Sequence, residues 1–341
     1  MPLTKFFNRD DRILIIITAD PDSIASAVAL KRLLWRKVSQ VVVASTNVVK
    51  RPDNLRLISA LKLRLPLLAD TQISSFTKLA LVDSQPDHNP QTANLNFAIV
   101  VDHHPICLKN IEHETHFHDI RPDWGATASI FVNYLKSAKI RPNQILATAL
   151  FYAIKTDTQN FVRQGKLEDM IAFRWLYPMI HQPLLSEIER APISRDSFNL
   201  MLKALNQADF NKNYCSVYFQ SLDHADTLVL TADWVMQING VNRAITYGVH
   251  DKSLVVVMRS GGLRSSNLGR LAQQAFGPFG SAGGHRNMAR AEIPLANIIP
   301  KHCQAGNLKN FVTKRLREAL SRKAKGGANE ANQKGTNHAA V

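Results

Sequence analysis

The run Val100–Val101–Asp102–His103–His104–Pro105 sets one carboxylate and two imidazoles on adjacent positions, directly after an apolar stretch. That trio suits a divalent cation and a phosphate. Taken alone it is equally a polar turn at a strand end. Further acids sit in similar places: Asp20 and Asp22 after the apolar run 12–18, Asp83 after 78–82, and Asp157 at the end of a helical stretch. Hard carboxylate oxygens with one or two imidazoles favour Mn²⁺ or Mg²⁺ over a structural zinc, which prefers thiolates and a closed tetrahedron. Several carboxylates converging on one point would repel unless cations offset them. Two ions bridged by one shared Asp can clamp both oxygens of an in-line phosphoryl displacement.

The segments that must position these residues read as alternating strands and helices. Residues 12–18, 41–45, 78–82 and 97–101 are short β-branched or apolar runs, and helices are expected over 24–34, 54–61, 125–137 and 143–155. Acids at successive strand ends are the arrangement of a parallel doubly wound α/β sheet, in which ligands gather beyond the strands' carboxyl ends. From 167 to about 208 the pattern is loosely helical. After Tyr214 the texture changes: strands are expected over 214–221, 227–231, 244–250, 254–259 and 290–295, with a helix over 268–276. The run 277–285 is glycine-rich enough to read as a loop. The expected division is a first domain over 1–190, a helical connector over 191–213, a smaller α+β domain over 214–308, and a basic, disordered tail over 309–341, whose first part, 309–325, has the pattern of a basic helix.

The 341 residues carry 45% hydrophobic and 20% charged side chains, an ordinary globular balance, with a net charge of +15. Such a charge favours a polyanionic partner such as a nucleotide or nucleic acid, although part of it lies in the tail. Cys107, Cys215 and Cys303 are widely spaced and odd in number, which fits a reducing cytoplasm. No apolar run approaches the roughly 18–20 residues that span a bilayer, and the N-terminus lacks a signal-peptide pattern. The expectation is a cytoplasmic protein with no membrane partner. At 7% aromatic content, no basic strip interleaved with aromatics is visible of the kind that stacks long single strands. Short oligonucleotides or nucleotides are therefore the favoured substrates.

In order along the chain, Thr18–Ala19–Asp20–Pro21–Asp22–Ser23, Asp83 to Pro86, Asp102–His103–His104, Thr156–Asp157–Thr158, Arg259–Ser260 and Gly283–Gly284–His285 resemble the motifs of the DHH–DHHA1 phosphoesterases. That group includes RecJ-like exonucleases, nanoRNases, pAp phosphatases and cyclic-dinucleotide phosphodiesterases. The resemblance covers about residues 12–295. It implies that Asp20 binds one metal and Asp22 the other, that Asp83 bridges them, and that His103 and Asp157 complete the second ion's shell. It further implies that His104 acts at the scissile phosphate with Asp102 orienting the imidazoles, and that Arg259, Ser260, Gly283, Gly284 and His285 hold substrate. The implied activity is Mn²⁺- or Mg²⁺-dependent hydrolysis of short RNA oligonucleotides, pAp, or linear or cyclic dinucleotides, in a cleft between the two domains. A homodimer is also in keeping with the resemblance.

Two positions depart from the pattern. Thr18, or an isoleucine if the longer loop spacing of other members is used, stands where the group usually has a His or Asp ligand to the first metal, and Ala282 replaces the leading glycine of the glycine loop. A neutral hydroxyl is a poor ligand, so a weakened first site, or a non-catalytic nucleotide sensor on the same fold, is the alternative. His88, or the set His113, His116 and His118, are the candidate replacements, although the latter stretch reads better as a solvated loop. Gly125–Ala126–Thr127–Ala128 opens a helix whose N–H groups suit either a phosphate or close packing.

Overall fold

The structure, a computed structural model, describes residues 3–106, 117–161, 165–190, 192–222, 224–261, 267–284, 286–299, 301–302 and 307–335. The chain forms two compact units, Met1–Pro192 and Ile193–Val341.

In the first unit β1 (Arg12–Ile17), β2 (Gln40–Ser45), β3 (Lys78–Val82), β4 (Ile99–Asp102) and β5 (Phe117–Ile120) make one sheet in the order β2-β1-β3-β4-β5, every pairing parallel. The unbroken apolar run of β1 follows from burial on both faces. Ile13, Ile15 and Ile17 enter one core cluster, while Leu14 and Ile16 enter a second on the opposite face. Helices α1 (Pro21–Leu33), α2 (Pro52–Ala60), α3 (Thr127–Ser137), α4 (Gln144–Asp157), α5 (Leu167–Leu176) and α6 (Gln182–Glu189) complete the unit.

Local chemistry sets the helix starts nearest the strand ends. Asp20 caps α1: its carboxylate accepts from the Ser23 N–H at 2.8 Å, the Ser23 hydroxyl accepts from the Asp20 N–H at 3.0 Å, and Pro21 sits at the first helical position. Asn143 caps α4 by accepting from the Leu146 N–H. Strand β5 corrects the sequence expectation of a solvated loop around His118. His118 and Asp119 lie in a strand that β4 recruits through backbone pairing, and Asp119 is paired with Arg121. His113 and His116 lie outside the described residues.

The second unit contains α7 (Arg195–Leu205) and the strands β6 (Asp209–Asn211) and β7 (Tyr214–Phe219), so part of the expected connector belongs to this sheet. Next come α8 (Asp226–Val235), β8 (Arg243–His250), β9 (Ser253–Ser260), α9 (Leu268–Phe276), β10 (Ser281–Gly284), β11 (Met288–Pro294), α10 (Leu295–Ile298) and α11 (Leu308–Gly335). The mixed sheet runs β10-β11-β9-β8-β7-β6, parallel only between β7 and β8.

Three expectations are corrected in this unit. Residues 227–231, β-branched enough to suggest a strand, are helical, because Leu228, Ala232 and Val235 share one buried helix face. The glycine-rich run contributes an edge strand, with Ser281–Gly284 laddered to β11 by backbone groups that need no side chains. Finally, the basic helix expected over 309–325 starts at Leu308, where Leu308, Phe311, Val312, Leu316 and Ala319 recur at helical spacing and are buried in the core of this unit, and it continues to Gly335, into the stretch expected to be disordered.

Candidate metal centre

Two strand ends and two helix ends bring the acidic residues together. Asp83 follows β3 with a left-handed backbone (φ +61°), its N–H held by the Val101 carbonyl at 2.8 Å. A non-glycine residue in that region stores strain of about 1–3 kcal/mol, a feature that clusters at functional sites. Asp102 is the last residue of β4, Asp22 lies in the first turn of α1, and Asp157 ends α4.

Asp22 is buried, and both of its carboxylate oxygens are engaged by the start of α3. Oδ2 accepts from the Thr127 N–H and Oδ1 from the Ala128 N–H, each at 2.7 Å. The N–H groups that the sequence offers to a phosphate are thus spent on Asp22. The Thr127 hydroxyl donates to Asp83 Oδ1 at 2.7 Å, so this one residue braces two acids. Burial and then the nearby Asp157 push Asp22 up to about 8, and burial with Asp22 and Asp20 carries Asp83 well above the carboxylate range.

His103 is buried against them. Its Nδ1 lies 3.1 Å from the Trp124 carbonyl, which can only accept, so Nδ1 carries a proton and the neutral ring keeps its lone pair on Nε2. That Nε2 lies 3.0 Å from Asp157 Oδ2 and 3.7 Å from Asp83 Oδ1. Burial lowers the ring's pKa, but Asp157 and the other acids outweigh it and hold it near 10.

Asp102 is fully buried and accepts three hydrogen bonds: from Gln85 Nε2 at 2.7 Å, the His103 N–H at 2.8 Å and His104 Nδ1 at 2.8 Å. Burial works against its charge, but these bonds and the two imidazoles keep it well below the usual range. His104 is half-exposed, its ring 4.5 Å from that of His103.

Among the described residues, Asp22–His103–Asp157 and Asp83–His103–His104 are the groups whose ligand atoms lie within 4.8 Å of one another. Crowded buried carboxylates beside an imidazole whose Nε2 faces them are the donor chemistry of a hard divalent cation, and these residues fit one. Asp20 and Thr18 stand outside both groups. Thr18 is exposed, and its hydroxyl is hydrogen-bonded to that of Thr46 at 2.8 Å. His88 is outside them too: its Nδ1 accepts from the Gln85 N–H, and its ring meets His104 edge-on at 5.8 Å.

The expected substrate residues fall in the second unit. Arg259 lies on β9 with Nε donating to Asp233 Oδ1 at 2.9 Å, Ser260 is buried at the end of that strand, and Gly283 and Gly284 are in β10. His285 lies outside the described residues.

Residues 12–154 match the family model described as DHH family, N-terminal domain. These residues are a DHH-family domain. The family's members are phosphoesterases, and the fold is theirs. An uncharacterised protein of Methanocaldococcus jannaschii is 32% identical over 284 residues, 83% of this chain and 58% of that protein, so the chain spans a little over half of that relative's length. Among solved structures, an exopolyphosphatase-related protein from Bacteroides fragilis superposes with a TM-score of 0.70 at 18% identity, covering 94% of each chain. RecJ from Thermus thermophilus, in complex with Mn²⁺, gives 0.52 at 14% identity over 92% of this chain and 52% of that one. Both are likenesses of fold.

Sequence reasoning missed Gln85, Thr127, the Trp124 carbonyl and Asp169 as supports of the DHH domain's site. Asp169, fully buried on α5, accepts from the Gly125 and Lys166 N–H groups and anchors the loop entering α3. Gly125 and Thr127 were visible as a small-residue helix start. Gln85 lies inside the Asp83-to-Pro86 motif but its partner Asp102 is 17 residues away, and Asp169 caps its own helix through Lys166 while its site partner Gly125 is 44 residues away.

Proposed function

We propose that this chain is a divalent-metal-dependent phosphoesterase hydrolysing short RNA oligonucleotides, pAp, or linear or cyclic dinucleotides. The convergence of Asp22, Asp83, Asp157 and the His103 Nε2 lone pair beside the Asp102–His104 pair carries this reading. A Mn²⁺ or Mg²⁺ ion held by the first four would lend charge to a phosphoryl oxygen and lower the pKa of an attacking water. The Mn²⁺ in RecJ, which shares the fold, supports that choice.

The chain's own residues do the rest. Gln85 holds Asp102, and Asp102 accepts the Nδ1 proton of His104. That fixes the ring's orientation, so that in the imidazolium form the Nε2 proton would be the one passed to a leaving oxygen while Nδ1–H stays on Asp102. Arg259, Ser260, Gly283, Gly284 and His285 are proposed to hold the substrate's remaining phosphate and nucleoside parts. Arg259 would exchange Asp233 for phosphate, a partner matching its planar fork.

The test is hydrolysis of RNA dimers to pentamers, pAp and pApA with Mn²⁺, beside Asp83→Ala. The expected outcome is turnover that disappears in the variant while its circular dichroism is unchanged. Equal turnover in both would sink the assignment. A second reading, a nucleotide sensor without turnover, is favoured by one observation: Thr18, placed where a ligand would be, spends its hydroxyl on Thr46. A folded protein that binds these nucleotides and cleaves none of them would select it.

A further inference from the structure

We propose that a cavity at the end of α3 and α4 remote from the metal centre binds a nucleoside phosphate, with the base on Trp175 and the phosphate among Lys136, Lys139 and Arg141. The site needs no ion and does not depend on the metal-dependent reading above.

The cavity, about 430 Å³, lies where the end of α3 and the loop to α4 meet the end of α5, and its size is within the roughly 300–1,000 Å³ of small-molecule sites. Its wall is largely apolar: Ile140, Trp175 and Met179 are half-buried, with Pro178 exposed beside them. Lys136, Lys139 and Arg141 stand exposed around that wall. Lys136 Nζ is 6.0 Å from the centre of the Trp175 ring, and Arg141 Nε donates to Met179 Sδ at 3.1 Å. Positive charge therefore sits directly against a flat indole.

The absence of counter-charge points to an anion. Two stretches of chain line the cavity, and neither holds an acid: there is none between Asp123 and Asp157, nor between Asp169 and Glu187. Among the described residues none of the three cations forms an ion pair. Like charges around a concave surface repel one another and focus a positive potential into it, and a bound anion relieves that repulsion. A thioether is a weak acceptor, so the planar fork of Arg141 keeps its terminal N–H groups for a phosphate. A bare phosphate would leave the indole and its apolar neighbours uncovered. A flat base carrying a phosphate uses both halves of the cavity.

Helix length separates this cavity from the metal centre. Helix α3 has Thr127 as its first residue and Lys136 in its last turn, while α4 begins beyond Arg141 and ends at Asp157. Their 11 and 14 residues span about 16 and 21 Å, so the cavity and the metal centre lie at opposite ends of the same two helices. A nucleotide held here is a second ligand.

The test titrates AMP into the full chain in EDTA, by calorimetry and tryptophan fluorescence, beside inorganic phosphate, adenosine and a phosphorylated RNA trinucleotide. AMP is expected to bind saturably and more tightly than phosphate or adenosine. Lys139→Glu combined with Arg141→Glu, both at exposed positions, should weaken it by about tenfold or more. Asp83→Ala should bind AMP as the native chain does, and Trp175→Phe should lose the fluorescence change. No saturable AMP binding by the folded chain, equal affinity in the charge-reversed variant, or a loss in Asp83→Ala would each overturn the site. Phosphate binding as tightly as AMP, or a fluorescence change that survives Trp175→Phe, would overturn the base on the indole. A trinucleotide that binds more tightly than AMP, and is lost in the same charge-reversed variant, would support the site with an RNA end as its ligand. AMP binding at least as tightly would support it with a free nucleotide.

Discussion

Thr127 makes two bonds that hold two different acids at once. Its N–H holds Asp22 and its hydroxyl holds Asp83, so the acids from two different strand ends are braced by one side chain. Thr127→Val keeps the shape and the N–H but removes the hydroxyl, leaving a buried carboxylate oxygen without its donor. Partners of this kind, behind the ligands, typically govern metal affinity and activity by about 10–100-fold. We expect a rise in the Mn²⁺ dissociation constant in that range by titration calorimetry, with little change in the far-ultraviolet spectrum. An unchanged affinity would show that Asp83 does not depend on this bond. Gln85 plays a comparable part for Asp102, its amide reaching the carboxylate and the carbonyls of His104 and Pro105.

The element that decides the site is the turn entering α3. Gly125 leaves no room for a side chain: a Cβ there would lie 2.6 Å from Thr158 Cγ2 and 3.0 Å from Asp169 Oδ2. The close approach lets the Asp169 carboxylate take the Gly125 N–H and so places Thr127 two residues later. Gly125→Ala must push α3 away from the α4–α5 side. We expect a loss of about 1–3 kcal/mol in urea unfolding, the usual penalty of overpacking, together with a fall in turnover because Thr127 shifts with the turn. Unchanged stability would mean that Thr158 gives way freely.

The electrostatics of the first unit give the folded chain a pH signature. The folded pKa values of Asp22, about 8, and His103, about 10, are both raised above their unfolded values. A raised group stabilises fully below its unfolded pKa, and the contribution disappears as pH climbs through the folded one. In a chelator, the melting temperature should fall by at least roughly 5 °C between pH 5 and pH 9. Mn²⁺ should reduce or reverse that fall, since it binds the deprotonated ligands. Asp102 works oppositely: its depressed pKa stabilises above the ordinary carboxylate range and fails only under stronger acid. A metal-free melting temperature that rises over the same interval would contradict the crowding of buried acids. Among the described residues, no helix is long and apolar enough to cross a membrane.

The local pattern of the chain determined the parallel sheet and the candidate ligands. Apolar runs ending in Asp20, Asp83 and Asp102 mark strand ends, and a parallel sheet delivers strand ends to one edge. Asp20, Asp22, Asp83, His103 and Asp157 were therefore legible as candidate ligands before any coordinate, and the fold brings all of them but Asp20 into the two ligand groups. Contacts without local trace were decided by the tertiary structure alone. Strand β5 exists because β4 offers its edge, the helix over 226–235 forms because its apolar face is buried, and the glycine run ladders because β11 lies beside it. At the site, the ring nitrogen that His103 turns toward Asp157 is set by a carbonyl 21 residues away, and the partner of the Thr18 hydroxyl is Thr46, 28 residues away. Ligand type is a property of the residue. Ligand availability depends on which hydrogen bonds the fold has already made, and that distance in sequence is where local reasoning ends.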